Sequence, residues 1–115
     1  VAVTDAGGAP LGTATAAASG NDVIVTLTGI PDNRRARIAL NNPNGSAFTA
    51  SIAMGFLVGD VNNSRSVTAA DISGIKSRST AVVTSTNYKL DLNLSGVISA
   101  ADVSAVKARA GTRLP

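Results

Sequence analysis

Residues 59–79 and 90–110 repeat one another, and that repetition constrains this chain more than any other feature. The two stretches read GDVNNSRSVTAADISGIKSRS and LDLNLSGVISAADVSAVKARA. Asp60 aligns with Asp91, so the period is 91 − 60 = 31 residues. In that register Asn62 meets Asn93, Ser64 meets Ser95 and Asp71 meets Asp102, while Ala69, Ala70, Ser73, Lys76 and Arg78 recur unchanged. The remaining positions pair by type: Val61 with Leu92, Val67 with Ile98, Thr68 with Ser99, Ile72 with Val103 and Ile75 with Val106. A repeat of this length marks one supersecondary unit that cannot bury its apolar face alone and stacks on its copy.

The matched polar residues carry oxygen, and their spacing has a chemical meaning. With Asp60 as position 1, side-chain oxygens fall at positions 1, 3, 5 and 12, with a hydroxyl at 9. A twelve-residue calcium loop uses this pattern, with position 7 donating its backbone carbonyl, because a hard cation takes six to eight oxygens. The first ligand set is Asp60, Asn62, Ser64, the carbonyl of Ser66, Thr68 (through water) and Asp71. The second is Asp91, Asn93, Ser95, the carbonyl of Val97, Ser99 and Asp102. Two Ca2+ ions are therefore expected. The competing reading is a pair of solvated turns with helix caps, since Asp, Asn and Ser all favour turns; two copies in strict register favour the metal.

Thr68-Ala-Ala-Asp71 and Ser99-Ala-Ala-Asp102 have the form of capping boxes, with Asp in place of Glu, so each loop should start a helix. Ile72 and Ile75 then share one face, as do Val103 and Val106. No helix is signalled before either loop, so each unit is half an EF-hand. Ala81, Val82 and Val83 are expected to pack on the helices and Tyr88 to cover their edge, with Gly111 ending the second helix.

The duplicated segment resembles a type I dockerin from residue 59 to about residue 114. The resemblance rests on the paired loops, Asp at position 12 and Lys at one point of each helix. It implies a docking module of secreted bacterial proteins whose partner is a cohesin. The family's contact positions fall here on Ala69, Ala70, Lys76 and Ser77, then on Ala100, Ala101, Lys107 and Ala108, and the internal two-fold would let either helix lead. Arg65 departs from the Gly usual at position 6, where Gly96 conforms, which predicts strain in the first loop. Ser at position 5 leaves two carboxylates per loop, which predicts weak sites of about 10⁻⁴ to 10⁻³ M.

Composition narrows the alternatives. The 115 residues contain no Cys and no His, which excludes disulfides, thiolate chemistry, imidazole metal sites and a Ser–His triad. No stretch approaches a membrane span. The net charge of +3 comes from Lys and Arg scattered without interleaved aromatics, which reads as a solvated surface and not as a nucleic-acid site. Together with abundant small residues, this points to a secreted or cell-surface location.

Residues 1–58 read as a β-rich segment and 59–115 as the dockerin-like domain, an α+β chain overall. Val23–Thr28, Arg34–Leu40 and Phe48–Val58 are expected strands, with weaker ones at Val1–Val3 and Thr13–Ala17. The inward rows are Val23, Val25 and Leu27, then Ala36, Ile38 and Leu40, then Phe48, Ala50, Ile52 and Met54. A tight hairpin is expected at Asn44-Gly45, and Asn44 also fits a glycosylation acceptor. The segment resembles part of an immunoglobulin-like β-sandwich, which usually needs about seven strands. A small sheet with free edges is marginal alone, so it is expected to pack on the dockerin-like unit, on residues upstream of Val1 or on another copy; strand exchange between copies, building an extracellular filament, is a second expectation. A third is an accessory tail of a carbohydrate-active enzyme. No catalytic unit is visible, because Asp22 and Asp32 read as turn residues and not as a glycosidase pair.

Overall fold

The computed structural model describes Val1–Pro115, except that the side chain of Asn44 lies outside the described residues, and with it the proposed acceptor. The chain divides into two compact units, Val1–Phe56 together with Pro115, and Leu57–Leu114.

The first unit holds five strands: β1 (Ala2–Thr4), β2 (Thr13–Ser19), β3 (Asp22–Thr28), β4 (Arg34–Asn41) and β5 (Thr49–Phe56). β1, β4 and β5 form an antiparallel sheet with β4 in the centre, and β2 pairs with β3 in a second sheet. The alternation of apolar residues decides which faces meet. Val3, Leu11, Ala36 and Ile38 are buried, and Ala14, Val25, Leu27, Ile30 and Phe56 pack against them.

Three expectations for this unit need correcting. The tight hairpin lies at Gly20-Asn21, where Ser19 pairs with Asp22 and Gly20 takes φ of 59°. Between β4 and β5 the chain instead makes a longer connection, with left-handed Asn42 followed by a 3-10 turn over Pro43–Gly45. Pro43 would flank a two-residue loop at Asn44-Gly45, and it lacks the N–H that the flanking residue donates to its partner on the next strand. The third concerns burial. Val23 of the expected inward row is exposed, and so is most of the β5 row. Phe48, Ile52 and Met54 retain 55%, 60% and 44% of their surface, because the two-stranded sheet covers the central strand and Phe56 but not the outer strand.

In the second unit α1 (Ala69–Lys76) and α2 (Ala100–Lys107) follow the two loops, and a 3-10 turn over Tyr88–Leu90 precedes the second loop. Both capping boxes form. Eight-residue helices are unstable alone, so packing holds them. Val67, Ile75, Ile98, Val103 and Val106 make a shared core flanked by Leu57, Val61, Ile72, Ala81, Val83, Leu90 and Leu92. Val82 and Tyr88 stand outside it, exposed, contrary to expectation. α2 ends at Lys107 with Ala108 as its cap, three residues before Gly111. Gly111 serves another purpose: its left-handed backbone directs its N–H to the Val67 carbonyl.

That last bond belongs to a reciprocal clasp. The N–H groups of Gly111 and Leu114 donate to the carbonyls of Val67 and Arg65, and the Val67 N–H donates to the Thr112 carbonyl. Thirty-one residues away, Thr80 and Val83 donate to Ile98 and Gly96, and Ile98 donates to Ala81. Each loop is therefore stitched to the segment that follows the opposite helix. The left-handed residues recur with the same period: Asn63 with Leu94, Arg65 with Gly96, Thr80 with Gly111. The backbone keeps the two-fold even where the side chains depart from it.

Candidate metal centre

The first loop closes through its own oxygen atoms. Asp60 accepts the N–H of Ser64 on Oδ1 at 2.8 Å and that of Arg65 on Oδ2 at 2.7 Å. Asn62 Oδ1 accepts the same Ser64 N–H at 2.9 Å, and the Ser64 hydroxyl donates to the Ser66 carbonyl at 2.9 Å. Asp71 comes back from the first turn of α1. Its Oδ1 accepts from the N–H groups of Val61 and Asn62 at 3.0 and 3.3 Å. Its Oδ2 accepts from the Thr68 N–H at 2.8 Å and the Thr68 hydroxyl at 3.1 Å.

The second loop repeats these bonds. Asp91 accepts from Ser95 and Gly96 at 3.0 and 2.8 Å, Asn93 accepts from Ser95 at 3.1 Å, and the Ser95 hydroxyl donates to the Val97 carbonyl at 3.0 Å. Asp102 Oδ1 accepts from Leu92 and Asn93, and Oδ2 from the Ser99 N–H and hydroxyl. The six residues named for each loop are thus gathered within one hydrogen-bonded ring. The N–H groups of Val61, Asn62, Leu92 and Asn93 also hold the position-12 carboxylates, and such backbone donors leave no signature in side-chain spacing.

Asp71 and Asp102 are fully buried and Asp91 nearly so. Burial alone raises the pKa of Asp102, but the bonds from the Ser99 and Asn93 backbones, the Ser99 hydroxyl and the Leu92 backbone outweigh it and hold it below 3.8. The charged form is favoured in the fold, so its contribution is complete above the unfolded pKa and is lost as pH falls through the lower folded value. In calcium-free buffer the second unit should therefore lose stability as pH falls below the ordinary carboxylate range, and Asp102→Asn should flatten that dependence. Circular-dichroism melts across this range check it.

Carboxylate, amide, hydroxyl and carbonyl oxygens, with no sulfur or imidazole, suit a hard cation. Among the described residues no three His, Cys, Asp or Glu side chains cluster, since each loop brings only two carboxylates. Those two charges match a divalent ion, and the donors fit calcium.

Arg65 takes φ of 70° where the second copy has Gly96 at 85°. A side chain in that region costs about 1 to 2 kcal/mol. Arg65→Gly should raise the stability of the second unit by about 1 kcal/mol, measured by thermal melts in calcium.

Two loop–helix units thus repeat one another, and each gathers carboxylate, amide, hydroxyl and carbonyl oxygens of the kind a hard cation takes. Residues 58–109 match the family model of the dockerin type I domain, and this segment is a type I dockerin. No curated protein and no solved structure matches the chain. All eight residues at the family's contact positions are exposed: Ala69, Ala70, Lys76 and Ser77 around α1, and Ala100, Ala101, Lys107 and Ala108 around α2.

Proposed function

We propose that residues 57–114 are a non-catalytic docking module that two calcium ions fold and that binds a cohesin-type partner through its helix faces. The observation that carries this reading is the identical closure of the donor ring in both loops. Asp60, Asn62, Ser64, the Ser66 carbonyl, Thr68 and Asp71 hold one ion. Asp91, Asn93, Ser95, the Val97 carbonyl, Ser99 and Asp102 hold the other. A bound divalent cation supplies the positive charge that offsets the two carboxylates of each loop. The chain supplies the rest: backbone N–H groups orient the carboxylates, and the capping boxes lock each loop to its helix.

The outer faces of α1 and α2 present small residues ending in Lys76 and Lys107, so a partner with acidic groups beside a flat apolar area fits either one. This reading places the chain outside the cytoplasm and takes the β unit as a partial immunoglobulin-like neighbour. Titrating a purified cohesin module into the chain by calorimetry tests it. Binding should vanish in EDTA. Lys76→Glu or Lys107→Glu alone should weaken it less than about tenfold, while the pair should abolish it, because either face can substitute for the other. Binding that survives both EDTA and the double variant would refute the proposal.

A further inference from the structure

We infer that β5 is the seam of a symmetric homodimer, pairing antiparallel along its open edge with β5 of a second copy. The inference concerns the β unit and stands apart from the calcium reading.

Natural sheets protect their edges with charges, proline, bulges or very short strands. β1, the other edge of this sheet, is three residues long. β5 runs for eight, and from Ala47 to Val58 the chain carries no charged residue and no proline. Its backbone pairs with β4 at every residue from Thr49 to Phe56, without a bulge. The outer side of this strand therefore offers a regular row of N–H and C=O groups.

The side chains agree. Phe48, Ala50, Ile52 and Met54 alternate on the face that also carries buried Ala36 and Ile38, since Met54 lies opposite Ala36 and Ile52 opposite Ile38. The core stops short of them. The other face bears Arg35 and Arg37 across from Gly55 and Ala53, and Arg37 reaches the Ser51 hydroxyl at 3.4 Å. One face of the outer strand is thus apolar and uncovered, and the other is cationic and solvated.

The occupant follows from self-complementarity. In antiparallel pairing the numbers of facing residues have a constant sum. An odd sum would set the apolar row against Thr49, Ser51 and Ala53, on the wrong face. An even sum keeps the rows together; 104 and 106 each pair seven residues of β5, and 104 also engages Phe48 just before the strand. It puts Ile52 against Ile52 of the copy, Met54 against Ala50 and Phe48 against Phe56. No like charges meet, and two three-stranded sheets become one of six with a continuous apolar face. The two-fold closes the assembly at two, so no filament grows from this edge.

Sedimentation velocity of the full chain from about 1 μM to about 1 mM covers the range of weak dimers. The expected result is a doubling of mass with concentration, equal in calcium and in EDTA, accompanied by concentration-dependent slowing of amide exchange in β5. Ile52→Lys should weaken dimerisation at least tenfold with an unchanged far-ultraviolet spectrum. Met54→Lys serves as a second variant if the first misfolds. A monomer throughout, a polymer that keeps growing, or a dimer untouched by both substitutions would overturn the inference.

Discussion

Removing calcium with EDTA should lower the melting temperature of residues 57–114 by about 10 °C or more relative to 10 mM calcium. The size follows from mass action. A ligand that binds only the folded state stabilises it by RT ln(1 + [L]/Kd), which reaches about 2.7 kcal/mol at a hundredfold excess. Sites of about 10⁻⁴ to 10⁻³ M then gain roughly 1.4 to 2.7 kcal/mol each, or about 3 to 5 kcal/mol for two. In a unit of this size each kcal/mol moves the midpoint by about 4 to 8 °C. Tyr88 is the only tyrosine and the chain has no tryptophan, so its fluorescence follows the second unit alone. Magnesium at the same concentration should restore much less, because it holds its water and demands stricter octahedral geometry. A melt that ignores EDTA would leave the hydrogen-bonded ring as the whole of the loop's structure, with no metal in it.

The dockerin half was legible in the sequence because its information is local and written twice. Thr68 and Asp71 lie three residues apart, and so do Ser99 and Asp102, so both capping boxes could be read from spacing and both form. The clasp was not legible. It joins Val67 to Gly111 and Thr112, and Ile98 to Thr80 and Ala81, through backbone atoms far apart in the chain. The position of Gly111 after the apolar period of α2 instead suggests a helix terminator, the commoner use of glycine at such a point. In the β unit the strand periods were clear, but alternation reports only which residues share a face. It does not say whether anything covers that face. Ile38 and Ile52 sit side by side with the same pattern, yet one is buried and the other exposed, because the second sheet reaches only the central strand.

Deleting Gly111–Pro115 should disable the first calcium loop before the second, although the deleted residues follow the second helix. The clasp is the reason. Truncation removes the bonds from Gly111 to Val67, from Val67 to Thr112 and from Leu114 to Arg65. At about 0.5 to 1.5 kcal/mol each, their loss costs roughly 2 to 4 kcal/mol, comparable to the stabilisation expected from calcium. Ser66, whose carbonyl is the proposed position-7 donor, lies between two of the residues released. The second loop keeps its own clasp, because Thr80, Ala81 and Val83 remain. Calcium titration followed by amide shifts should therefore show Gly96 and Ile98 responding as in the full chain, while Arg65 and Val67 respond only at much higher calcium. Leu114→Pro is the milder version: it removes one donor and should cost about 1 kcal/mol with the same bias toward the first loop. Equal weakening of both loops would show that the two-fold core, and not the cross-stitched backbone, sets how firmly each ring is held.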